Sequence, residues 1–69
     1  MVRTRISSTS IAEVGYDPGT HTLEVQFRHG GIYQYFGVPA SVYAELMQAS
    51  SRGNYVAYRI RGRYRYVRV

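Results

Sequence analysis

Sixty-nine residues with a net charge of +5, nine arginines, no lysine, four acids and no cysteine bound the answer early. A chain this short is one domain that buries only about 60% of its unfolded surface, so its core has little margin. Without cysteine it has neither disulfides nor a thiolate metal site, and without an apolar run neither a signal peptide nor a membrane span is expected in it. The expectation is a soluble cytoplasmic protein with no membrane partner.

The charge is unevenly placed. Arg59, Arg61, Arg63, Arg65 and Arg68 fall in the last eleven residues, which contain no acid. Such a segment attracts polyanions, nucleic acid foremost. Arginine suits phosphate forks and base stacking, although a host that uses few lysine codons would leave the same mark.

Along the chain, Met1 to Ser10 reads as a ragged edge strand or an arm, and Ile11 to Tyr16 alternates weakly. Asp17-Pro18-Gly19-Thr20 is a turn, with proline presetting φ and Gly19 supplying φ > 0. Thr22 to Arg28 alternates cleanly, Leu23, Val25 and Phe27 on one face and Glu24 and Gln26 on the other, as a half-buried antiparallel strand does. His29-Gly30-Gly31 leads into Ile32 to Val38, making a hairpin.

The hairpin register decides where Tyr33 and Tyr35 point. A two-residue turn sends both tyrosines to solvent and buries Gln34. A three-residue loop, Arg28-His29-Gly30 with a left-handed Gly30, pairs Phe27 with Gly31 and turns both tyrosines inward. Burial of the Gln34 amide costs more than exposure of Ile32 and Phe36, which favours the second register.

Pro39 suits the first turn of a helix running to Ser50, with Val42, Leu46 and Ala49 as its apolar stripe and Ser41, Glu45 and Gln48 opposite. Tyr55 to Ile60 can form a second short helix, capped by Ser51 or Asn54 and ended by Gly62. Arg63 to Val69 alternates again as a last strand. The fold class is α+β: a small antiparallel sheet, β-β-β-α-(α)-β, with one main amphipathic helix on one face.

The order of Ser7-Ser8, Gly15-Tyr16-Asp17, Leu23 to Phe27, Tyr33-Gln34-Tyr35, Val38-Pro39, Val42-Tyr43, Gly53, Tyr55, Ile60 and Tyr64 resembles the KTSC domain family. That family takes its name from a C-terminal domain of some lysyl-tRNA synthetases and also occurs as stand-alone bacterial proteins. The resemblance spans nearly the whole chain and centres on Tyr33-x-Tyr35. It implies RNA binding and no catalytic residues. Asn54-Tyr55-Val56-Ala57-Tyr58 departs from the aromatic–asparagine pair expected there.

Catalysis finds no support in the residues: serine or threonine alone is not a nucleophile without a base. His21 and His29 sit in turns at opposite ends of one strand, on the order of 25 Å apart, so they share neither a metal nor a proton. No metal ligand, cofactor or enzyme activity is expected.

The nucleic-acid candidates are Arg59, Arg61, Arg63, Tyr64, Arg65, Tyr66 and Arg68, where phosphate forks alternate with rings that stack on unpaired bases. Ser51, Arg52 and Gly53 form a candidate anion site at a helix start. The partners expected are RNA, tRNA-like or single-stranded, and a second copy of the chain in a weak homodimer through an edge strand. A protein-interaction or self-associating scaffold without nucleic acid is the competing reading.

Overall fold

The computed structural model describes residues 1–69. Five antiparallel strands lie side by side in chain order: β1 (Arg3–Arg5), β2 (Ile11–Asp17), β3 (Thr22–Phe27), β4 (Gly31–Tyr35) and β5 (Tyr66–Arg68). Between β4 and β5 run α1 (Ala40–Gln48), α2 (Arg52–Tyr55) and a π-helical turn, Val56–Ile60. The order is thus β-β-β-β-α-α-β, since the ragged first segment does pair, Arg3 facing Gly15 and Arg5 facing Glu13.

The β3–β4 hairpin takes the register that turns the tyrosines inward. Phe27 pairs with Gly31, Val25 with Tyr33 and Leu23 with Tyr35. The left-handed residue is Gly31 (φ 88°), not Gly30. The Arg68 guanidinium lies where a Gly31 side chain would be, within 2.8 Å of an added Cβ. Only glycine both takes that φ and leaves that space.

Other turns differ in the same way. Asp17 accepts the Gly19 N–H on its side chain at 2.9 Å and closes the turn without a left-handed glycine. The positive φ, 55°, falls instead on His21, whose carbonyl accepts the Val38 N–H at 2.9 Å. Pro39 precedes α1 as its N-cap with ψ 152°, because the helix begins at Ala40. Ser51 caps α2 through Asn54 N–H. The second helix starts earlier than its apolar spacing predicts, at Arg52, and ends in a bond from Arg61 N–H to the Val56 carbonyl, the i→i+5 closure of a π turn. Gly62 (φ 79°) then reverses the chain.

The inner sheet face and the helices enclose the core. Ile11, Val14, Leu23 and Val25 from the sheet meet Val38, Leu46, Val56 and Ile60, with Tyr35 only 3% exposed among them. Tyr16 locks α1 down: its ring stacks on Tyr43 at 4.8 Å and its hydroxyl donates to the Val38 carbonyl at 2.6 Å. On the outer face, Gly15 lets the Arg3 side chain lie flat across the sheet. Arg3 reaches Glu13 at 3.4 Å, Glu24 at 3.2 Å and Gln26 at 2.9 Å, and Gln34 donates to Glu24 at 2.8 Å. Gln34 is therefore bonded on the face where it was expected to escape burial.

Gly53 fits against the loop after β1, where an added Cβ would overlap the Ser10 hydroxyl. Gly53→Ala is expected to change stability by less than about 1 kcal/mol in urea unfolding monitored by circular dichroism, because the exposed Ser10 hydroxyl can turn aside and alanine favours a helix over glycine. A larger loss would show that the loop holds Ser10 in place.

Three tyrosines keep their protons more tightly in the folded chain than at the ordinary value of 10.0. Burial is the first cause for each, reinforced at Tyr16 by the Asp17 carboxylate and at Tyr55 by its hydrogen bond to Glu45. A folded-state pKa above the unfolded one gives stability that is complete below pH 10 and lost as pH rises through the raised values. Unfolding midpoints should be flat through neutral pH and fall above about 10.0, and Tyr35→Phe should lessen that fall. An unchanged alkaline slope in Tyr35→Phe would remove Tyr35 from the account.

Candidate nucleic-acid interface

β5 is shorter than the alternating sequence from Arg63 suggests. The Gly62 turn, held by Arg63 N–H to the Ile60 carbonyl, uses Arg63 and Tyr64 to bring the chain back to the sheet. Arg65 already contributes its carbonyl to Phe36 N–H at 2.9 Å, and only Tyr66, Val67 and Arg68 pair with β4. The candidate residues therefore do not form one strand with two faces. Arg59 lies exposed in the π turn, Arg61 caps it, Arg63 and Arg65 lie exposed in the connection, and Tyr64 is half-buried against the core.

The two residues that do reach the strand join the earlier tyrosines. Tyr35 pairs with Tyr66 and Tyr33 with Arg68, and directly paired residues share a face. The result is a ladder of rings across three strands. Tyr33 meets Phe27 edge-on at 5.6 Å, Tyr66 at 5.6 Å and Tyr35 at 6.4 Å, while Tyr35 lies 5.9 Å from Tyr66. The Arg68 guanidinium carbon stands 6.0 Å from the Tyr33 centroid, within cation–π range.

Tyr35 completes the core, but Tyr33 is only half-buried and Tyr66 is 58% exposed. Both tyrosines turn inward as expected, Tyr35 within the core and Tyr33 half-buried against it. The helices stop short of this end of the inner face and leave a cavity of about 770 Å³. Its floor is Phe27, Tyr33, Tyr35 and Tyr66; its walls are Thr9-Ser10, His29-Gly30 and Arg61-Gly62. No carboxylate lines it. One arginine beside aromatic rings, in a cavity of ligand size, is chemically matched to flat π-systems that carry negative charge nearby.

Of the candidates named from the sequence, Arg61 and Tyr66 line this cavity and Arg68 lies beside it near the Tyr33 ring, whereas Phe27, His29, Thr9 and Ser10 line it without having been among them. The inward register carried a signal for Phe27 and Tyr33, because it set both on one face. Nothing in the spacing showed that β5 would dock beside β4 and deliver Tyr66 to them.

The other candidate, Ser51-Arg52-Gly53, stays together but splits by role. Ser51 accepts from Asn54 N–H at 3.3 Å, and Gly53 packs on the Ser10 loop. Arg52 donates to the Met47 carbonyl at 2.7 Å. Ser51 and Arg52 line a second, wholly polar cavity of about 400 Å³.

The comparisons with known proteins agree with the fold. The KTSC domain model matches residues 7–64. A lysine–tRNA ligase of Nostoc is 45% identical over 51 residues, which are 74% of this chain and 9% of the ligase. A protein of Stutzerimonas stutzeri is 40% identical over 80% of this chain and 78% of its own. The crystal structure of a KTSC domain protein from Yersinia pestis superposes with a TM-score of 0.97 at 38% identity, covering 99% of this chain and 96% of that one. This chain spans about a tenth of the ligases and 78% of the Stutzerimonas protein. With the matched segment running through every strand but the first and last and through both helices, the chain belongs to the KTSC domain family.

Proposed function

We propose that the chain is a small non-catalytic module that binds RNA through unpaired bases, using the aromatic cavity and the arginines of its C-terminal segment. The observation that carries this reading is the ring ladder of Phe27, Tyr33 and Tyr66 beneath Arg61, in a cavity with no acid. Bases in a duplex are stacked on each other, so rings set in a cavity favour a single strand or a loop. Arg59, Arg63 and Arg65 are exposed and make no ion pair, which leaves them for phosphates. RNA rather than DNA is supported by the relatives, since the matching segment also occurs in enzymes named for tRNA.

A scaffold reading has one observation in its favour. β5 is an edge strand with an unpaired side, and Val67 on it is 45% exposed. A two-fold pairing along that edge would bring Arg65 and Arg68 of one copy close to those of the other, and like charges oppose it.

The test is a chemical-shift titration with a short single-stranded RNA and with a tRNA at 50 and 200 mM salt. Shifts are expected at Tyr33 and from Arg61 to Arg68. About four phosphate contacts on a single strand would weaken binding roughly 50-fold for that fourfold rise in salt. Tyr66→Ala should cost the stacking of one base, about 1–3 kcal/mol. No shifts in this segment at low salt, or affinity indifferent to salt together with a concentration-dependent dimer, would overturn the reading in favour of the scaffold.

A further inference from the structure

The second cavity is built from three stretches distant in sequence: the Ser7-Ser8-Thr9 loop, Arg28 at the entry to the β3–β4 hairpin, and the Ser50-Ser51-Arg52 joint between helices. No apolar side chain and no carboxylate lines its 400 Å³ or so. Both guanidiniums are held by neutral carbonyls. Arg28 donates through Nε to the Ser8 carbonyl at 2.6 Å and through Nη2 to Ile6 at 3.4 Å, and Arg52 through Nη2 to Met47 at 2.7 Å. These bonds fix the two side chains in place and leave their charge uncompensated. The Arg52 Nε is buried with no partner at all, so the protein does not satisfy that group.

The hydroxyls divide in the same way. Ser8 accepts from Ser10 and Ile11 N–H, each at 3.3 Å, and Ser51 caps α2, so these two hold the loops in shape. Ser7, Thr9 and Ser50 line the cavity with hydroxyls that bond nothing in the chain. Two fixed positive charges and three uncommitted donors, with no negative group, present more donors than a carboxylate can use. They suit the several oxygens of a phosphate. Thr9 lines this cavity and the aromatic one as well, so the two open on either side of a single residue.

We propose that the serine–arginine cavity is a phosphate site, and that it holds a phosphate of the same strand whose base enters the aromatic cavity. The second half rests on the nucleic-acid reading; the first stands without it.

The test titrates the intact chain with inorganic phosphate, then with one single-stranded oligoribonucleotide carrying or lacking a 5′-phosphate. Inorganic phosphate should move the resonances of Ser7 to Thr9, Ser50 to Arg52 and the Arg52 side-chain N–H, and Arg52→Gln should abolish that response. Loss of a charge-assisted bond predicts roughly tenfold or greater weakening of the oligonucleotide in Arg52→Gln. Ser7→Ala, which removes no bond within the chain, should weaken it more mildly and guards against a folding defect in the arginine variant. If the 5′-phosphate raises affinity and Arg52→Gln removes the gain, the site takes a terminal monoester. Equal affinity of both oligonucleotides, both weakened by Arg52→Gln, assigns it to a backbone diester. Silence of these residues towards phosphate, with unchanged oligonucleotide affinity in both variants, sinks the site while the aromatic reading stands. A phosphate response with no oligonucleotide binding keeps the site and overturns its link to a strand.

Discussion

The pairing of Phe27 with Gly31 fixes the side of the sheet on which every residue of β4, and through β4 every residue of β5, must lie. A slip of one residue would send Tyr33 and Tyr35 outward and bring Gln34 into the core. The observed register does the reverse. It gives Tyr35 to the core, gives Gln34 to Glu24, and sets Tyr33 opposite Arg68. The left-handed Gly31 makes the register possible, and the Arg68 guanidinium occupies the space left by its missing side chain. Fold and candidate site thus depend on one turn.

The same register separates the charges. Glu13 and Glu24 lie on the outer face and are engaged by Arg3, the only arginine in an ion pair. The remaining acids are Asp17, bonded within its turn, and Glu45, which accepts from the Tyr55 hydroxyl at 2.8 Å. None of the four lines either cavity. Of the eight arginines outside ion pairs, Arg61 lines the aromatic cavity and Arg28 and Arg52 the polar one, so no acid cancels their charge locally.

Alternation and turn chemistry in the sequence were enough for β3, for the inward tyrosines and for the main helix, because each rests on local spacing and on the cost of burying Gln34. The positions of left-handed residues were less legible. Gly19, Gly30 and Gly31 are interchangeable by composition, and the choice was made by contacts the local pattern does not show: the left-handed residue of the first turn is His21, whose carbonyl accepts the Val38 N–H, and that of the second is Gly31, against which Arg68 packs. The length of β5 was illegible for a similar reason. Arg63 to Val69 alternates throughout, but the reach of the Gly62 turn and the five residues of β4 decide how much of it pairs. The polar cavity could not be read from Ser51 and Arg52 alone, since its other half is Ser7 to Thr9 and Arg28.

β5 contributes three residues and is exposed along its length, so local ladder bonds hold it weakly. What adds to them are the contacts of Tyr66 with Tyr33 and Tyr35 and of Arg68 with the Tyr33 ring. These are also the groups that the proposed ligand would meet. A base stacked against Tyr33 and Tyr66 would bind only the docked strand, and binding one conformation selectively stabilises it. Ligand affinity and attachment of the C-terminal strand are then one linked equilibrium. Substitutions that loosen β5 without touching the cavity should therefore weaken binding through the fraction of chains in which the ring ladder is complete.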